Sequence, residues 1–110
     1  MSVLSGWLWL LGAIASEVVA TVNLKLSAGF TRLLPSVIVV VGYAASFVLL
    51  SQALKTLDLG IAYAVWAGLG TAAVMVVGIV LLGEPLTALK VAGAALVIAG
   101  VVLLNLGGAH

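Results

Sequence analysis

The chain of 110 residues has no cysteine, which excludes a disulfide framework and any thiolate metal site and leaves the redox compartment unreadable. Its single histidine is the last residue, His110, and one imidazole makes no metal cluster. Charge is scarce as well: four Lys and Arg and three Asp and Glu amount to 6% of residues, where soluble domains carry about 25%. No basic run exists to neutralise several phosphates, so nucleic acid is not an expected partner. The P-loop, the dinucleotide fingerprint, HExxH and a Ser/His/Asp set are also missing, so neither phosphate-driven transport nor hydrolysis is supported. Neither an enzyme nor a cofactor is expected.

What is present is apolar. The composition is 65% hydrophobic with a mean hydropathy of +1.46, which predicts an all-α integral membrane protein. Uncharged windows run from Leu33 to Leu54, Leu59 to Gly83 and Val91 to Ala109, each near or above the ~20 residues an α-helix needs to cross hydrocarbon. With the first segment, roughly Gly6 to Leu24, they make four transmembrane helices. The expected spans are about 5–25, 34–54, 59–82 and 88–107, in one domain covering 1–110. The first segment lacks a basic flank and an A-x-A-like cleavage site and is read as a retained helix. Ser27-Ala28-Gly29 with Arg32 and Pro35, then Lys55 to Asp58, then Gly83-Glu84-Pro85, supply the turns. Loops this short force neighbouring helices antiparallel and put both termini on one side.

Lys25, Arg32 and Lys90 flank the first and third loops, and Lys55 marks the second. That is a weak positive-inside bias, compatible with insertion in either orientation. Four helices enclose little of a pathway, and transporters commonly build a site between inverted halves. With an even number of spans, an inverted partner would be a second chain inserted upside down.

Glu17 is the one charge away from a predicted helix end, about halfway along the first span. A carboxylate at that depth costs about 2.5 kcal/mol or more to insert, so it implies a proton, cation or counter-charge to bind. Leu10, Ala13, Ala20, Thr21 and Leu24 share its helix face, and the small ones leave room beside it. A protonated structural carboxyl, or a pair with Lys25 about 12 Å along the axis, is the competing reading. Tyr63 and Trp66 share a face of the third helix, where they suit either an organic cation or an interfacial belt. Trp7 and Trp9 are better belt candidates, although Trp7 lies near the Glu17 meridian. Tyr43, Ser46 and Phe47 share a face of the second helix, by packing or by function. Gly68 and Gly70 lower helix stability in the third span and suggest a hinge. Gly93 and Gly100 lie on one stripe of the fourth and suggest a dimer contact.

The stretches Ala15-Ser16-Glu17-Val18-Val19-Ala20-Thr21, Lys25-Leu26-Ser27-Ala28-Gly29-Phe30-Thr31-Arg32, Gly60-Ile61-Ala62-Tyr63-Ala64-Val65-Trp66 and Gly68-Leu69-Gly70 resemble the small multidrug resistance transporters along almost the whole chain. The resemblance implies an antiparallel, dual-topology dimer in the bacterial cytoplasmic membrane that exchanges protons for hydrophobic or aromatic cations by alternating access. It implies that Glu17 binds both proton and substrate, and that Tyr63, Trp66, Tyr43, Ser46 and Thr21 line the site. Trp7 falls where a well-known member has a tyrosine, and Leu34 where it has a tryptophan. Ala13 and Phe47 are further pocket candidates. Gly93 and Gly100 match glycines of the family's dimer contact. Ala20 stands where guanidinium exporters of the family tend to carry tryptophan, which favours export of quaternary ammonium and phosphonium compounds. A guanidinium exporter, an obligate pair of different subunits, and a non-transporting adaptor are the alternatives.

Overall fold

A computed structural model describes residues 2–107; His110 lies outside the described residues. Four helices account for nearly all of it: α1 (Val3–Leu26), α2 (Leu33–Ala53), α3 (Leu59–Leu81) and α4 (Ala88–Leu106). Each is long and apolar enough to cross a membrane. In hydrocarbon a helix satisfies its own backbone polar groups, so only the ends need other partners. At the start of α1 the Ser2 hydroxyl accepts from the Ser5 N–H at 3.1 Å, and the Thr87 hydroxyl does the same for Lys90 N–H at 3.2 Å where α4 begins.

The first loop is the most constrained. Ala28, Gly29 and Phe30 have φ of 50°, 72° and 66°, a left-handed turn that costs a non-glycine residue about 1–2 kcal/mol. Buried Ser27 holds it. Its hydroxyl donates to Leu24 O at 2.7 Å and accepts from Phe30 N–H at 3.1 Å, while its carbonyl accepts from the N–H groups of Thr31 and Arg32. In the third loop Gly83 is left-handed at φ 69°, and Glu84 N–H returns to Gly78 O at 3.1 Å. Lys25 and Glu84 face each other at 3.7 Å, tying the end of α1 to this loop.

With lipid as apolar as leucine, helices associate through close packing of small residues rather than through a hydrophobic drive. Gly42 of α2 sits against Ala20 of α1, where an added Cβ would come within 2.8 Å of the alanine methyl. The core gathers Leu10, Ala13 and Ile14 of α1, Leu50 and Ala53 of α2, and Ile61, Ala62 and Val65 of α3. These residues lie toward the second loop, so the three helices converge there. The α4 helix buries no residue and leans mainly on α3. Its seat is Gly68, where an added Cβ would meet Val101 at 2.5 Å and Val97 at 3.2 Å. The Cα trace measures 42 × 34 × 16 Å, a flattened slab rather than a closed bundle.

Candidate functional site

Glu17 lies in the middle third of α1, half-buried, with its two carboxylate oxygens in different surroundings. One turn on, Thr21 donates its hydroxyl proton to Oε1 at 2.9 Å. Thr21 Oγ1 also meets the Tyr43 hydroxyl of α2 at 2.7 Å. Thr21 has only one proton to give, so Tyr43 is the donor in that second bond. The relay Tyr43 to Thr21 to Glu17 thus aims two hydroxyl dipoles at one carboxylate oxygen. The other oxygen, Oε2, is buried without any hydrogen-bond partner among the described residues. It faces Gly70 of α3, where an added Cβ would come within 3.3 Å. No cationic side chain pairs with Glu17 among the described residues; Lys25 turns to Glu84 instead.

Glu17 borders an open groove of about 550 Å³ between α1 and α3. Glu17 and Thr21 form one wall, and Tyr63, Trp66, Gly70 and Thr71 part of the other. Trp66 stands edge-on to both Tyr63 (centroids 5.9 Å apart, planes at 84°) and Phe47 of α2 (5.7 Å, 82°). Such edge-to-face pairs are favourable by about 0.5–1.5 kcal/mol and fix ring orientation. Tyr63 remains 60% exposed, so one aromatic face is open to a ligand. A buried carboxylate oxygen without a protein donor, in a mostly apolar and aromatic cleft, suits a desolvated organic cation or a proton.

The residues named from sequence fall into three groups. Glu17, Thr21, Tyr43, Tyr63, Trp66, Phe47 and Gly70 are brought together in one connected cluster. Ser46 is fully buried one turn from Tyr43 and gives its proton to the Tyr43 carbonyl at 2.8 Å, away from the groove. Ala13 is completely buried in the three-helix core and Trp7 packs on the edge of that core. Gly68 seats Val101, within a helix that runs unbroken through both glycines. Gly93 and Gly100 have open space where a side chain would stand. Sequence reasoning missed Ala67, Thr71, Val74 and Met75, which continue the groove along α3. Their signal was present: from Tyr63 they recur at i+4, i+8, i+11 and i+12, one helical face. No cluster of metal-ligating side chains occurs among the described residues.

Residues 5–97 match the family described as Small Multidrug Resistance protein. The chain belongs to that family. Family members with similar sequence include the multidrug resistance protein mmr of Mycolicibacterium paratuberculosis, 49% identical over 94% of this chain and 98% of its own length. The quaternary ammonium compound-resistance protein QacE of Escherichia coli is 47% identical, with 94% of both chains covered. The multidrug resistance protein EbrB of Bacillus subtilis is 50% identical, covering 96% of this chain and 90% of its own. Family membership and four apolar helices make this a multi-pass membrane protein of the multidrug-resistance class.

Proposed function

We propose that the chain, as a single four-helix transmembrane domain, exports hydrophobic and aromatic cations from the bacterial cytoplasm in exchange for protons. The observation that carries this reading is Glu17 Oε2, buried and unpartnered beside an aromatic-walled groove. A bare carboxylate there is costly, and either a proton or an organic cation neutralises it, so the two compete for one site. Coupling requires more than competition. The transporter must change sides readily with the carboxylate occupied and reluctantly with it charged, which desolvation of the bare anion enforces.

One chain is a slab with its groove open along one side, so enclosure of a substrate calls for a second copy. We assign that copy an inverted orientation, because the charge bias of the loops is weak. The contact falls on α4, whose Gly93 and Gly100 face open space. Gly68 and Gly70 serve as the hinge of the side change: a bend there moves the Val101 seat of α4 and the clearance beside Glu17 together. Quaternary ammonium and phosphonium ions are the favoured substrates, since a groove walled by Trp66 and Tyr63 rewards apolar area at about 25 cal/mol per Å² and guanidinium buries little.

The deciding experiment is tetraphenylphosphonium binding to the purified full-length chain in lipid, with proton release followed in the same sample. Binding that releases protons and weakens as pH falls is expected, with both effects lost in Glu17→Gln while the dimer persists. Undiminished, pH-dependent binding in that variant refutes the mechanism. Tighter binding of guanidinium than of tetraphenylphosphonium refutes the substrate class.

A further inference from the structure

The groove beside Glu17 contains a polar atom that the relay does not use. Thr71 of α3 lines it, one residue beyond Gly70 and, at 1.5 Å rise per residue, about 7.5 Å along the axis from Trp66. Hydroxyls and amides on membrane helices ordinarily return their protons to their own backbone. Ser36, Ser46 and Ser51 of α2 and Asn105 of α4 all do so here, at 2.5 to 3.0 Å. Thr21 is committed to Glu17. The Thr71 hydroxyl makes no hydrogen bond among the described residues and stands on an exposed face of α3, open to a ligand in the groove.

Its position is also a junction. Thr71 borders the Glu17 groove, a second cavity of about 640 Å³ between α3 and α4, and a smaller one of about 290 Å³ near Gly93. The Glu17 groove itself continues past Thr71 to Val74 and Met75, so a substituent on a cation held at Glu17 reaches Thr71 within it. We propose that Thr71 is a specificity-determining residue, whose hydroxyl donates to a hydrogen-bond acceptor carried by the substrate cation. This deepens the export reading and rests on it. Glu17 neutralises the charge, Trp66 and Tyr63 take the aromatic surface, and Thr71 distinguishes cations bearing a carbonyl or ether oxygen from pure hydrocarbon ones.

Two nearly isosteric probes isolate the hydroxyl: triphenylphosphonium ions whose fourth ring carries a para-acetyl or a para-isopropyl group. Binding is measured by calorimetry on the full-length chain in lipid. A net neutral hydrogen bond corresponds to about a threefold to tenfold preference. Thr71→Val, which keeps the shape and removes the hydroxyl, is expected to lower the acetyl-to-isopropyl affinity ratio by about that factor. Thr71→Ser is expected to preserve the ratio. A ratio unaltered by Thr71→Val, or equal weakening of both probes as a packing role or a bond to a second copy would give, overturns this inference while the export reading stands. Failure of the isopropyl probe to bind the wild-type chain overturns both.

Discussion

Gly70→Ala is the smallest change that tests the geometry of the carboxylate. The glycine lies inside a regular helix, where it is destabilising by about 1 kcal/mol relative to alanine, so backbone conformation gives no reason for it. The reason lies opposite: an added methyl carbon would stand 3.3 Å from Glu17 Oε2 and 3.8 Å from Trp66 Cδ1. It would add bulk against the one carboxylate oxygen that has no protein donor. If the methyl holds a bound cation about 5 Å instead of about 4 Å from that oxygen, then at an effective dielectric constant of about 20 the attraction falls from about 4.2 to about 3.3 kcal/mol. Cation affinity then drops about fourfold, and further for ligands too rigid to retreat along the groove. A proton needs no such clearance. The variant should therefore weaken tetraphenylphosphonium binding at every pH and tilt the competition toward the proton. Calorimetric titration across a pH series reads both together. Unchanged cation affinity in a folded Gly70→Ala protein would show that the space beside Oε2 is not where the ligand sits.

Tyr43→Phe removes the donor behind Thr21 and is expected to weaken cation binding up to about tenfold with the fold intact, since the relay stabilises the anionic carboxylate; tighter binding by calorimetry would contradict the donor order. Ala28→Gly relieves a left-handed alanine and should raise stability by about 1 kcal/mol in thermal unfolding, whereas a lower midpoint would mean that the turn is not strained there. Gly100→Leu fills open space in one chain but crowds the proposed α4 contact, so monomers in size analysis with preserved helicity are expected, and undisturbed dimers would move the contact elsewhere. Added Lys residues in the second loop should bias insertion and lower resistance in cells, with an oppositely biased copy restoring it; full activity from a single orientation would exclude the antiparallel pair.

Four spans and the singular position of Glu17 were legible in the sequence because both are one-dimensional. Runs of uncharged residues declare a membrane helix, and a lone carboxylate within one marks a candidate site. The shared face of Glu17 and Thr21 was equally accessible, since it depends only on the helical repeat. What the sequence withheld depends on how helices lean. Ala13 stands one turn from Glu17 on the same face, yet it is sealed in the core because α1, α2 and α3 converge toward the second loop. Gly68 and Gly70 read alike as weak points of a helix. Only the packing separates them, one receiving Val101 and the other facing a carboxylate. Thr71 carried a periodic signal, but hydroxyls are common in membrane helices and its lack of a backbone partner is a matter of orientation.

The exposed fourth helix has a consequence for the life of the newly made chain. In water, a helix that buries none of its residues would drive aggregation at once; in lipid the same surface is already solvated, because acyl chains serve it as well as leucines would. A subunit inserted alone is thus under no pressure to find the first surface it meets. It can diffuse in the plane of the bilayer, and under the pairing proposed above, partner choice would be decided by shape at α4 rather than by haste.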